Sequence, residues 1–174
     1  MNRLHDLFNQ QGQSPWLDNL RRSWIVSGEL QGWVDRGARG ITSNPSIFQK
    51  AMTGTDAYDE QLRSLTESGC SVEESYWELV VRDIHDALEI LRPVHEESDG
   101  LDGYVSVEVD PRLAPDTEGT MVAARQLDQR LDRPNLYVKI PGTAAGIPAI
   151  RQMISEGRSI NVTLIFSLDS YSDV

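Results

Sequence analysis

Lysine is almost missing from this chain. Among its 174 residues only Lys50 and Lys139 are lysines, and arginine supplies the rest of the permanent positive charge. An arginine side chain stays charged, whereas a buried lysine can give up its proton and become an amine nucleophile. Cysteine is scarcer still. Cys70 stands alone in a Gly-Cys-Ser loop, which excludes an intrachain disulfide and reads as an inert, partly exposed thiol. The three histidines, His5, His85 and His95, show no metal-ligand spacing, and His95-Glu96-Glu97 reads as a solvated helix end, so no metal is expected.

Positive charge is in short supply overall. With 16 basic and 27 acidic residues the formal charge is −11, which argues against nucleic acid or an anionic membrane as a partner. An anionic small molecule needs only a local arginine cluster or a helix N-terminus and stays compatible. No apolar run approaches membrane-spanning length. The opening Met1-Asn-Arg-Leu-His-Asp-Leu-Phe8 reads as a short amphipathic helix, without the apolar core and cleavage site of a signal peptide. The cytoplasm is the expected location.

What is present suits one ordinary globular core: 39% apolar and 25% charged residues, no low-complexity stretch, no fixed-period repeat and no linker. Residues 1–174 are therefore read as a single domain. An apolar segment at Pro15–Leu20 precedes a helix from about Arg21 to Asp35. Gly40 to Asn44 reads as a second strand, stopped by Pro45. Helices follow near Asp56 to Ser68 and Val72 to Glu97, the second opened by the capping box Ser71-Val-Glu-Glu74. Its inward face is Trp77, Val80, Ile84, Leu88 and Leu91, and Pro93 is expected to kink or end it. A strand at Tyr104–Asp110, a helix at Thr117–Leu131 and a strand at Leu136–Ile140 come next. A helix near Ala144–Glu156 with Thr143 as N-cap, a strand at Ile160–Phe166 and a helix capped by Ser167 complete the chain. Strand and helix alternate without hairpin signals, which predicts an α/β fold with parallel strands, either doubly wound or a (β/α)8 TIM-type barrel.

The strand faces decide between the two. Val105, Val107 and Val109 share one face of the third strand; Tyr104, Ser106, Glu108 and Asp110 share the other. Leu136, Val138 and Ile140 oppose Tyr137 and Lys139. Ile160, Val162 and Leu164 oppose Asn161 and Thr163. Thr42 and Asn44 lie on one side of the second strand, and Asp18 stands among apolar neighbours in the first. Doubly wound strands are apolar on both faces, whereas barrel strands can turn an apolar face to the helices and a polar one to the lumen. No glycine-rich phosphate fingerprint follows the first strand, which also disfavours a dinucleotide fold. Asp18, Glu108 and Lys139 inside a lumen must pair or hydrogen-bond. With Asn44, Asn161 and Thr163 they form a kit suited to carbonyl chemistry, in which Lys139 is a candidate Schiff-base residue. The competing readings are a lysine snorkelling from an edge strand and a structural ion-pair network.

The same residues carry a resemblance. Gly40-Ile-Thr-Ser-Asn-Pro-Ser-Ile-Phe48 resembles the transaldolase strand-2 motif. Leu136-Tyr-Val-Lys-Ile-Pro-Gly-Thr-Ala-Ala-Gly-Ile-Pro-Ala-Ile-Arg-Gln-Met153 resembles the family's active-site lysine motif. Trp16-Leu-Asp18, Glu108-Val-Asp-Pro-Arg112 and Asn161-Val-Thr-Leu-Ile-Phe-Ser167 match three further segments in the expected order, so the resemblance spans nearly the whole chain. It implies a class I transaldolase of the pentose phosphate pathway, acting on sugar phosphates without metal or organic cofactor. Lys139 would form the Schiff base with sedoheptulose 7-phosphate or fructose 6-phosphate. Glu108 with Thr163 would hold the proton-shuttling water, Asp18 would take the C4 hydroxyl proton, and Asn44 and Asn161 would bind hydroxyls of the dihydroxyacetone unit.

A complete barrel of this type runs to about 250 residues. This chain supplies about five βα units, and the serine and arginines that clamp phosphate in the family have no counterpart positions here. Surface salt bridges are the expected role of Arg112 and the Arg21-Arg22 pair. The resemblance thus implies an apparently truncated barrel, inactive or nearly so by itself and prone to self-associate at exposed strand edges. The alternatives are a Schiff-base fructose-6-phosphate aldolase, which would need no acceptor aldose, and a non-catalytic barrel fragment.

Overall fold

A computed structural model describes residues 3–174. It divides into two compact units, Met1–Val105 and Ser106–Val174. The strands stand in chain order in a five-stranded sheet, β1 (Trp16–Leu17), β2 (Gly40–Thr42), β3 (Tyr104–Glu108), β4 (Leu136–Pro141) and β5 (Ile160–Thr163). A doubly wound sheet reverses its order at a switch point; chain order throughout is the arrangement of the first part of a (β/α)8 barrel.

In the first unit, β1 and β2 pair in parallel, Trp16 opposite Gly40 and Leu17 opposite Ile41. Backbone bonds from Arg39 N to Pro15 O and from Gly103 N to Arg39 O level the strand entries. The Asp102 carboxylate ties them further, accepting from Ser14 Oγ at 2.7 Å and Arg39 Nε at 2.5 Å. Helix α1 (Arg3–Gln11) lends Phe8, whose ring lies under the Arg39 guanidinium.

The expected helix from Arg21 to Asp35 is two helices, α2 (Arg22–Ser27) and α3 (Glu29–Asp35). Gly28 separates them in the left-handed region, φ +78°, with its N–H closing back on the Ile25 carbonyl. Glycine enters that region without the Cβ penalty, so the helix ends there and restarts. Helix α4 (Pro45–Met52), which the sequence pattern does not predict, follows β2 with Asn44 as its N-cap. Proline at the first helical position and an Asx cap before it are what start it. After α5 (Asp59–Glu67) comes α6 (Val72–Glu97), opened by the foreseen capping box and running through Pro93 to Glu97. Its buried stripe includes Leu79, Val80, Ile84, Leu88 and Leu91, while Trp77 is only half-buried.

His95 is not a solvated helix end: its Nδ1 bonds the Asp102 carbonyl at 2.9 Å and its ring meets Tyr104 edge-on. Arg22 is not in a surface salt bridge. Its Nε donates to Asp83 at 2.6 Å, the carboxylate being almost wholly buried, and Tyr58 donates its hydroxyl to the other oxygen at 2.8 Å.

In the second unit a short turn of 3-10 helix (Pro111–Leu113) leads into α7 (Thr117–Leu131), which packs with α8 (Gly146–Ser155) over β4 and β5. Helix α9 (Leu168–Asp173) is capped by the Ser167 hydroxyl, as expected. All the strands but β4, which runs one residue further to Pro141, are shorter than the sequence suggested. The β5 alternation stops before Leu164, whose φ of +62° takes it out of the extended region and leaves its side chain exposed.

Candidate active site

Three consecutive strands build the site of the second unit. On β3, Val105 and Val107 turn one face to the core, so Ser106 and Glu108 stand on the other. On β4, Val138 and Ile140 are fully buried, and Lys139 between them projects to the opposite face. The two polar faces coincide. Lys139 Nζ lies 3.2 Å from Glu108 Oε2, with the side chains 12% and 13% exposed. A charge this sheltered needs a partner, and each supplies the other. The backbone supports the contact, since Val109 N donates to Lys139 O at 3.1 Å.

Strand β5 pairs with β4 in parallel, Lys139 opposite Asn161 and Pro141 opposite Thr163. Asn161 and Thr163 are both half-buried, and alternation sets them on the Lys139 side. Asn161 Nδ2 donates to Ser106 Oγ at 2.9 Å. That bond spans two strand spacings, because β4 lies between β3 and β5. On a flat sheet the two backbones would be about 9.5 Å apart and these short side chains would stand apart. The sheet therefore curves toward the face that carries Lys139, as the inner wall of a barrel does, with alternate strands meeting in one layer.

The loops after β3 and β4 are fastened to each other. Thr143 Oγ1 donates to the Ala114 carbonyl at 2.7 Å and Thr117 Oγ1 donates to the Ala145 carbonyl at 2.7 Å. Thr143, expected as the N-cap, stands two positions before the actual cap, Ala145, yet accepts from Gly146 N at 2.9 Å. Gly146 is required there: a methyl group on it would overlap the Pro141 carbonyl oxygen. Beyond β3, hydrogen bonds from Arg112 hold the Asp110 carboxyl below its usual range, and the pair neutralises itself as expected of Arg112.

The remaining candidates stand in the first unit. Asp18 is exposed, one residue past β1. Asn44 follows β2, and its Oδ1 accepts from Ile47 N at 3.0 Å, which leaves its amide N–H groups as what it can offer a ligand. Ser106 lies on the polar face that the alternation of β3 predicts, and its bond to Asn161 adds it to the site. Its signal was its position, two residues before Glu108 on a strand whose other face is all valine.

An amine touching a carboxylate, with amide and hydroxyl groups beside it, can add to a carbonyl carbon and move the protons that imine formation requires. Known proteins resemble this chain along most of its length. A family model described as transaldolase/fructose-6-phosphate aldolase matches residues 15–174. "Transaldolase 2" of Nostoc punctiforme is 50% identical over 163 residues, which is 93% of this chain and 43% of that protein. "Transaldolase" of Thermobifida fusca is 52% identical over 164 residues, 94% of this chain and 45% of its own length. "Transaldolase 2" of Streptomyces coelicolor is 49% identical over 167 residues, again covering 95% here and 45% there. The chain thus spans less than half the length of these curated relatives.

Proposed function

This chain belongs to the transaldolase/fructose-6-phosphate aldolase family, and on that premise we propose that its protein is a transaldolase working through a lysine imine. The observation that carries the reading is the contact of Lys139 with Glu108 on a sheltered, inward-curving face. Relatives that bear the name transaldolase at about half identity support it over the aldolase alternative.

Once Glu108 has taken its proton, the amine of Lys139 adds to the C2 ketone of a ketose phosphate such as fructose 6-phosphate or sedoheptulose 7-phosphate. Glu108, with Thr163 holding a water, passes the protons that let the carbinolamine lose hydroxide as water and become a protonated imine. Asp18 takes the C4 hydroxyl proton, the C3–C4 bond breaks, and its electron pair moves into the imine to give an enamine. The imine is the electron sink, so the step needs neither metal nor organic cofactor. Asn44, with its donors, and Asn161 hold hydroxyls of the three-carbon unit. The enamine then attacks the aldehyde of a second aldose phosphate, and hydrolysis frees Lys139. The reaction belongs to the pentose phosphate pathway, and its charged sugars set the protein to work in the cytoplasm.

Borohydride added with fructose 6-phosphate tests this directly. It should fix a dihydroxyacetone adduct on Lys139 and none on Lys50, and a peptide map with Lys139 unmodified would refute the assignment. Trapping reads single chemical events, so it applies even where turnover is slow. Product formation that depends on an acceptor aldose phosphate separates transfer from simple aldol cleavage. Self-association at the outer strands is part of the reading, since Leu164, Phe166, Leu168 and Tyr171 are exposed just beyond β5. Size-exclusion chromatography over a concentration series checks it, and a monomer throughout would refute it. No helix among the described residues is long and apolar enough to cross a membrane.

A further inference from the structure

Ser106 has no accessible surface, and its Oγ accepts Nδ2–H of Asn161, the residue directly opposite Lys139 in the β4–β5 register. Serine at a fully buried strand position contributes little to packing, and its hydroxyl must be hydrogen-bonded to be tolerated there. The bond to Asn161 is a tie between next-but-one strands rather than a local turn, so it fixes an amide that would otherwise swing over the concave face.

We infer that Ser106 is a positioning residue: it locks the Asn161 amide beside Lys139 so that a ligand hydroxyl meets it in one orientation. The inference rests on the lysine-imine reading above and extends it. An amide offers two N–H donors and one carbonyl. With one N–H held by Ser106, Asn161 presents one donor and its carbonyl oxygen, a set that complements a hydroxyl, which both donates and accepts. A freely rotating amide would have to be ordered when the ligand binds, and that cost lowers affinity. Ser106 orders it in advance. Its bond goes to the amide that would receive the ligand hydroxyl, so its effect falls on binding more than on the chemical step.

The test uses the 174-residue chain with Ser106→Ala, Ser106→Thr and the parent, and two readouts. The first is the fructose 6-phosphate concentration giving half-maximal borohydride trapping on Lys139. Ser106→Ala should raise it about 2- to 10-fold, with the rate at saturation changed less than about 2-fold. Ser106→Thr keeps the oxygen and should restore it. The second is hydrogen exchange of the Asn161 side-chain amide by NMR, which needs no substrate. It should quicken in Ser106→Ala and return toward the parent rate in Ser106→Thr.

Unchanged half-saturation in Ser106→Ala overturns the inference, and so does failure of Ser106→Thr to rescue, which would assign the effect to packing. Equal exchange rates in parent and Ser106→Ala overturn it independently, because the bond is then absent in solution. Absence of trapping in the parent chain is a different result. It overturns the lysine-imine reading, and the hold of Ser106 on Asn161 is then judged by the exchange rates alone.

Discussion

The amine of Lys139 and the carboxylate of Glu108 meet at 3.2 Å across neighbouring strands, each side chain almost withdrawn from water. One partner can serve as nucleophile and the other as its proton carrier, and their separate contributions can be told apart. Glu108→Gln keeps the shape and loses the proton acceptor. Borohydride trapping should slow by about 100-fold or more while the adduct stays on Lys139. Lys139→Met should abolish the adduct, and Lys50→Arg should leave it unchanged. Equal trapping in Glu108→Gln and the parent would remove Glu108 from the mechanism.

Gly146 opens α8, directly after the lysine strand. Alanine in place of glycine within a helix normally stabilises by about 1 kcal/mol. Here the sign should reverse, because the added methyl meets the Pro141 carbonyl oxygen, which is backbone and cannot rotate aside. Thermal melting of Gly146→Ala is expected to show a lower Tm than the parent. A Tm equal or higher would mean that the β4–α8 turn yields at no cost.

Asp83 is buried between Arg22 and Tyr58, and burial pushes its carboxyl above the usual range against the pull of Arg22. The same burial, with Asp83 beside it, pushes the Tyr58 hydroxyl up. Asp83→Ala strands the Arg22 charge and should cost about 3–5 kcal/mol in urea unfolding. The pair replaced together, Arg22→Met with Asp83→Leu, should recover most of that loss. If the double variant is no better than the single, the network does more than satisfy its own charges.

At the far end of α7 and α8, hydrogen bonding to Arg125 lowers the Glu156 carboxyl from its ordinary value of 4.5 to about 2. A carboxyl whose folded pKa is depressed adds stability above its unfolded pKa and loses it as pH falls toward the folded one. The Tm gap between parent and Glu156→Gln should therefore be constant above about pH 5. It should close as the pH approaches 2. The gap itself is small, since the carboxylate is exposed. A gap that does not change with pH would show that the Arg125 bridge does not form in solution.

The features legible in the sequence were those with a period or a chemical rarity. Alternating valines gave β3 and the face of Glu108; a lone lysine between Val138 and Ile140 gave the candidate nucleophile, and β4 does carry it on the face of Glu108. Ser71 and Glu74 announced the start of α6, and it began where they said. What escaped was set by neighbours distant in sequence. Nothing around His95 foretells the Asp102 carbonyl that accepts it, and nothing around Arg22 foretells Asp83, 61 residues away. Gly28 could have been read either as a tolerated helix glycine or as a break, and only its left-handed backbone decides. Asn44-Pro45 did carry a start signal for α4, overshadowed by its reading as the end of a strand. Ser106 was visible as a face residue, but its partner on β5 depends on curvature, which alternation does not encode.

That curvature turns position 106 into a gauge of volume. Where a sheet bends inward, the space above each strand narrows with height, and the side chains of β3 and β5 compete for the room over β4. Ser106 is small enough to leave Asn161 its place. A leucine or phenylalanine there would have to lift Asn161 away or flatten the sheet, so residue size at this one position limits how tightly the wall can bend.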